Sequence, residues 1–154
     1  MQAMIASLFS GTSKEVVTFF LAMIPAIELK ASIPIAILRF NLSPQVAFMC
    51  SVLGSLLMGV LIFVLFRFLF KTLLNKMKFI NKAQKNRYGK KYKIGEGMLI
   101  IFLIAVPLPG FGSFLGAIVA SLLQTKINRM MIYLVCGNFL AGGIVLAAIM
   151  GLKL

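Results

Sequence analysis

The stretch Val16-Val-Thr-Phe-Phe-Leu-Ala-Met-Ile-Pro25-Ala-Ile-Glu28-Leu-Lys30-Ala-Ser-Ile-Pro34-Ile-Ala-Ile-Leu38 decides how this chain is read. It is almost wholly apolar and long enough to reach across a bilayer, yet Glu28 and Lys30 stand near its middle. A charge at membrane depth costs about 2.5–3.5 kcal/mol on insertion scales, so such a pair persists only where something satisfies it. Pro25 and Pro34 bracket the pair, and proline removes a helical hydrogen bond, so helix breaks are expected at both. A broken helix with an acid and a base at its break is the form membrane transporters give to a binding site.

Composition supports the same reading. Of 154 residues, 61% are hydrophobic, and the mean hydropathy is +1.04. That balance excludes a soluble domain of this size and points to an all-α integral membrane protein, one membrane domain over residues 1–154. The net charge of +13 comes from 16 Lys and Arg against 3 acids. Nucleic-acid binding would account for the charge but not the hydropathy. The positive-inside rule and a bilayer with anionic headgroups account for both. No cleavable signal peptide is expected. Cys50 and Cys136 fall in apolar segments and read as small buried residues. The chain has no His, so neither a metal site nor a cofactor is expected. A His-based lipid phosphatase is a poor fit, and no enzyme is expected.

The order of segments follows. Thr12-Ser-Lys-Glu15 has capping-box spacing, which predicts a helix start near residue 13. Arg39 to Pro44 reads as a turn, with Ser43 as N-cap and Pro44 at the first helical position. The apolar run 44–70 covers roughly 40 Å as a helix, more than the hydrocarbon core of about 30 Å, with Arg67 able to snorkel at its end. Residues 71–95 carry Lys and Arg with no acid among them, and Leu69, Leu73, Met77 and Ile80 keep helical spacing. This segment reads as a basic cytoplasmic stalk. Residues 97–124 are apolar again, interrupted by Pro107-Leu-Pro109-Gly110-Phe-Gly112, which cannot continue a regular helix. A polar turn from Gln124 to Arg129 precedes a last apolar helix over 130–151.

The two halves, 13–70 and 96–154, resemble each other at an offset of about 82 residues. Pro25 answers Pro107, and Gly54-Ser-Leu-Leu-Met-Gly59 answers Gly137-Asn-Phe-Leu-Ala-Gly142. The expected architecture is therefore two inverted repeats, each an interrupted re-entrant helical hairpin followed by a transmembrane helix. Kinked spanning helices, four in all, are the alternative. Flanking charges do not choose: the re-entrant layout leaves Lys14, Arg39 and Lys153 outside, and the four-span layout leaves Arg39, Lys126 and Arg129. Half-segments of roughly 11–14 residues beside each break favour the re-entrant form. Small residues four apart (Gly112, Gly116, Ala120; Gly143, Ala147, Gly151; Ser55, Gly59) allow close helix approach, within the chain or in a homodimer.

These segments also carry a family resemblance. Pro25-Ala-Ile-Glu28-Leu-Lys30-Ala-Ser-Ile-Pro34 resembles the P-x-x-E-L-R-x-x-I-P motif of the small multidrug export proteins. Val106-Pro-Leu-Pro-Gly-Phe-Gly-Ser-Phe-Leu-Gly116 resembles their second motif, V-P-L-P-G-T-G-A-W-T-G, and the Ala141-Gly-Gly143 region resembles their last helix. The family is similar in plan to the wider DedA-like membrane proteins, which carry two re-entrant segments. Some of those move polyprenyl-phosphate carriers or other lipids with ion coupling. The resemblance implies a multi-pass transporter of the cytoplasmic membrane of a prokaryote. The chain departs from the pattern at Lys30, which stands in place of Arg and lacks its bidentate fork. Phe111, Ser113, Phe114 and Leu115 replace Thr, Ala, Trp and Thr.

The expected mechanism is proton-coupled export or flipping of a small or lipid-like substrate, anionic groups included. Glu28 is the expected ion-coupling residue, because a carboxyl in a low-dielectric break can exchange a proton near neutral pH. Lys30 either holds Glu28 ionised or receives an anionic group. Backbone freed at Pro107, Pro109, Gly110, Gly112 and Ser113, beside a half-helix N-terminus, supplies further substrate contacts. The competing reading is a non-transporting assembly or pore-forming protein in which Glu28 and Lys30 are a structural ion pair. Glu15 and Glu96 read as a helix-cap acid and a solvated loop acid.

Overall fold

The computed structural model describes residues 13–76, 92–106 and 112–152, which form six α-helices with no strand among them. They are α1 (Lys14–Met23), α2 (Glu28–Leu38), α3 (Pro44–Lys76), α4 (Tyr92–Ala105), α5 (Ser113–Leu122) and α6 (Ile127–Leu152).

Local chemistry explains most of the boundaries. α1 begins where the capping spacing predicts, but Ser13 holds the cap position and its side chain makes no cap bond. Glu15 in the first turn is left to offset the positive helix end. The helix stops at Met23 because Ile24 precedes a proline and is pushed into extended backbone (ψ 120°). Pro34 corrects an expectation. It lies inside α2 and breaks nothing. α2 packs against α1, α3 and α6, with Ile33 and Ala36 wholly buried, and that packing holds the helix through the lost bond. Ser43 Oγ accepts the Val46 N–H at 3.4 Å and Pro44 opens α3, as expected.

α3 runs past residue 70 to Lys76, and its 33 residues span roughly 50 Å. Most of the expected basic stalk, 77–91, lies outside the described residues, while α4 already starts at Tyr92 rather than near 97. α4 ends at Ala105 and α5 starts at Ser113, so the second interruption falls where it was expected. The polar turn after α5 is shorter than read, because α6 takes in Ile127, Asn128 and Arg129.

Side-chain bonds fix the arrangement. Lys14 Nζ donates to the Phe40 carbonyl at 3.0 Å, which brings the start of α1 to the end of α2. Ser32 Oγ donates to the Thr18 carbonyl at 2.9 Å between them, so α1 and α2 form a hairpin. α4 and α5 pack as a second pair, with Ile104 and Ile100 on Gly116. α3 and α6 run antiparallel. Phe48 meets Phe139 (ring centroids 5.5 Å apart), Ser55 meets Asn138, Gly59 meets Leu134, and Arg67 Nη1 donates to the Thr125 carbonyl at 2.7 Å. Arg67 is thus tied across the bundle as well as lying over the Phe63 ring, rather than only snorkelling.

Two apolar cores result. One joins Leu29, Ile33, Ala36, Ile37, Ala47 and Ala141, and the other centres on Ile62, Phe63, Ile100, Ile104, Met130 and Leu134. The exterior is also apolar: Leu38, Phe68, Met98 and Phe102 are more than half exposed. The buried polar residues include Thr18, Ser32, Ser51, Ser55, Ser113 and Asn138. Leucine and phenylalanine outside with hydroxyls inside is the distribution a lipid solvent selects. Pro44–Lys71 and Ile127–Gly151 are long and apolar enough to cross a membrane.

The small-residue spacings divide. Gly59, Gly112 and Gly116 meet side chains of the same chain, and Ala120 is wholly buried. Gly143 and Gly151 face open space.

Candidate functional site

The tips of the two hairpins meet at Glu28. The turn Ile24–Ile27 delivers it to the first position of α2, where its own N–H bonds the Ile24 carbonyl at 2.8 Å. The backbone there is left-handed (φ 46°), an uncommon and strained conformation for a residue with a long side chain. The side chain is 5% exposed. Its Oε1 accepts the Phe114 N–H at 3.0 Å, and the carboxylate lies against Gly112.

Phe114 is the second residue of α5, and Gly112, which holds that helix's cap position, has no side chain to offer. The opening amides of α5 would otherwise lack partners. The Glu28 carboxylate, reaching across from the first hairpin, fills that role and sits at the positive end of the helix dipole. Lys30 does the complementary thing. Its ammonium donates to the carbonyl of Val106, just past the end of α4, where the dipole is negative. One acid and one base from the first hairpin therefore cap both half-helices that flank the interruption in the second. They also attract one another directly.

A polar cluster adjoins the carboxylate. Ser55 of α3, Ser113 of α5 and Asn138 of α6 converge. The two hydroxyls are 2.8 Å apart, and they lie 3.0 and 2.9 Å from Asn138 Oδ1. All three are at most 1% exposed. Asn138 Nδ2 is buried with no partner. Hydrogen bonds of this kind between membrane helices contribute about 0.6–2 kcal/mol each.

Of the residues expected at the site, Glu28, Lys30, Gly112 and Ser113 come together. Pro25 shapes the turn before Glu28. Pro34 lies further along α2, and Pro107, Pro109 and Gly110 lie outside the described residues. Ser55, Asn138 and the Val106 and Phe114 backbone groups were not anticipated as site residues. The repeat aligned Ser55 with Asn138, so their shared polarity was available as a signal. Cys50 and Cys136 form no disulfide, and Cys136 is exposed rather than buried. No group of His, Cys, Asp and Glu among the described residues could hold a metal.

Comparison with known proteins bears on this geometry. Residues 28–144 match a family model described as "Putative small multi-drug export protein". The chain belongs to this family. No curated protein and no solved structure matches it. The matched region begins at Glu28 and contains both capped half-helices and the polar cluster, while the Ile24–Ile27 turn lies just before it. The family name marks an exporter rather than an enzyme. With two span-length apolar helices and an apolar exterior, the chain is a membrane protein.

Proposed function

We propose that this export-family member is a multi-pass transporter of a prokaryotic cytoplasmic membrane that couples movement of a small or lipid-like substrate to proton exchange at Glu28. Residues 13–70 and 96–154 are its two inverted halves, and α1–α2 and α4–α5 are re-entrant hairpins. Contact pairings support this. Exchanging α1, α2, α3 for α4, α5, α6 turns the α1–α3 contact into α4–α6, α2–α3 into α5–α6, and α3–α5 into α2–α6. With α3 and α6 antiparallel, each hairpin has its base at the opposite end of the bundle. Arg67, Lys71, Lys126 and Arg129 gather at the base of the second hairpin, which the positive-inside rule assigns to the cytoplasm and its anionic headgroups.

The observation that carries the reading is the buried Glu28 carboxylate bonded across the two halves to α5. An ionised carboxylate holds the second tip through a charge-assisted bond. Taking up a proton removes that charge and weakens the bond, which frees the tips to separate. Lys30 then becomes a counter-charge for an anionic substrate group. Rocking of one half on the other completes the exchange of access.

The test is proton-gradient-driven uptake or flipping in liposomes, wild type against Glu28→Gln. The proposal expects loss of coupled activity with normal assembly. Equal rates would remove it. A second reading, a structural clamp in a non-transporting assembly, is favoured by the backbone groups that satisfy both charges. It predicts that Glu28→Gln lowers stability and leaves any flux intact.

A further inference from the structure

The buried hydroxyls of the first half form a file. Ser51 Oγ lies 2.9 Å from Ser32 Oγ, and Ser32 Oγ donates to the Thr18 carbonyl at 2.9 Å. Thr18 Oγ1 donates to the Lys14 carbonyl at 2.8 Å, and Lys14 bonds Phe40 at the exposed base of the hairpin. At the inner end, Ser55 is one turn from Ser51 on α3, and Glu28 is one turn from Ser32 on α2. Thr18, Ser32 and Ser51 are each wholly buried. Three hydroxyls thus mark the line from the Glu28 carboxylate to the hairpin base, along the α1–α2–α3 seam.

Among the described residues the second half's hydroxyls are interrupted. Ser113 lies beside the carboxylate, and Ala117 one turn on is wholly buried in the apolar core. The buried Ser121 and Thr125 stand beyond it toward the base, with Ser121 Oγ donating to the Ile118 carbonyl at 2.8 Å. At the repeat offset, 82 residues in the hairpins and 83 in the long helices as for Gly54 and Gly137, Thr18 answers Ile100, Ser32 answers Phe114 and Ser51 answers Leu134. Ile100 and Leu134 are wholly buried, and Phe114 packs on the same apolar core. That core continues through Phe63 and Met130 toward Arg67 and Thr125 at the basic end. The first half therefore carries hydroxyls in successive turns from the carboxylate to its base, whereas the second places apolar residues between Ser113 and Ser121.

We propose that Thr18, Ser32, Ser51 and Ser55 mark a one-sided route by which water and protons reach Glu28 from the base of the first hairpin, while the Ile100–Leu134 core closes the carboxylate off from the basic end. The idea rests on the proton-coupled reading of Glu28 and adds its sidedness. Bridging waters and hydroxyls each accept one proton and release another, so only O–H bonds form and break, and the carboxylate gains the proton lost from bulk water. The charges on the elements around α2 do not interrupt the line. Lys14 and Glu15 of α1 stand at the base, Arg67 and Lys71 of α3 and Arg129 of α6 stand at the far end, and Lys30 turns to Val106. A proton arriving by this route comes from the side opposite the cytoplasm, which is the side a proton-driven exporter must draw from.

Thiol accessibility tests the route without relying on transport. In a Cys50→Ala, Cys136→Ala background, single cysteines replace Ser32, Ser51 or Leu134, with Asn41→Cys as the exposed control. Silver ions are added outside to oriented vesicles, and the remaining thiol is counted after denaturation. The expected result is that the Ser32 and Ser51 cysteines react about tenfold or more faster than the Leu134 cysteine, since thiol reaction follows solvent access. Silent thiols at both 32 and 51, beside a reactive Asn41→Cys, would overturn the route, as would a Leu134 cysteine that reacts equally fast. Proton uptake after an external acid pulse, read by an entrapped pH dye, separates the two claims. Glu28→Gln at wild-type rate defeats the coupling reading. Ser51→Val at wild-type rate with Glu28→Gln inactive defeats the route alone. Slowing in Ser51→Val supports it.

Discussion

Gly112→Ala is the sharpest perturbation this site allows. The backbone at Gly112 is extended (φ 170°), so any residue can adopt it. The obstacle is contact: the three atoms nearest to an added Cβ are Oε2, Cδ and Oε1 of Glu28. That neighbour is the end of a flexible side chain, so the helix start stays in place and the carboxylate is pushed off it. Losing a hydrogen bond to a charged group costs about 1.5–3 kcal/mol. Losing the carboxylate's interaction with the helix dipole adds about 0.3–1 kcal/mol, for a total near 2–4 kcal/mol. Denaturant unfolding in detergent micelles would measure it, in a double-mutant cycle with Glu28→Ala. If eviction of the carboxylate is the cause, Gly112→Ala costs little once the carboxylate is gone, and the two changes are strongly non-additive. A loss under about 0.5 kcal/mol in the wild-type background, or the same loss in both backgrounds, would refute the reasoning.

Four further outcomes follow from the contacts. Gly54→Ala drives a methyl into the Phe19 carbonyl, which is backbone and cannot step aside, so it destabilises by about 1–3 kcal/mol. Gly143→Ala, in open space, stays within about 0.5 kcal/mol, and thermal unfolding in one detergent compares the pair directly. Lys30→Met strips the ammonium from the Val106 carbonyl and lowers stability by about 1.5–3 kcal/mol by denaturant titration, without reproducing the loss of proton coupling expected of Glu28→Gln. Arg67→Met removes both the Thr125 bond and the contact with the Phe63 ring, and loosens the turn after α5 by about 1–2 kcal/mol, read as faster amide exchange at Gln124 and Thr125.

The helices were legible because their signals are local. Proline fixes the residue before it, so the end of α1 followed from Pro25. Ser43-Pro44 placed the start of α3 to the residue. Pro34 misled because a proline's effect inside a helix depends on what packs around it, and α2 is gripped on three sides. The acid and base were found by their cost alone, charge in an apolar run, and that argument needs no partner. Their partners could not be found that way. Phe114 and Val106 bind Glu28 and Lys30 through backbone groups, and a backbone amide looks the same at every position in a sequence. Ser55 and Asn138 were passed over for a related reason. In a water-soluble protein such residues are expected outside, and only the inverted solvent of the bilayer makes each one notable. Serine at 32 and 51 also reads first as a small residue that eases helix contact, and its alignment into a file is visible only once three helices are assembled.

The left-handed backbone at Glu28 constrains which acid can stand there. Aspartate tolerates that conformation better than glutamate, and glycine better still. By foldability alone, position 28 would favour either. Yet one methylene less would leave the carboxylate short of α5, so the longer acid is held in a conformation it disfavours because only it has the reach. Substitution to Asp should therefore ease the main chain and empty the cap at once, separating what the turn prefers from what the opposite hairpin needs.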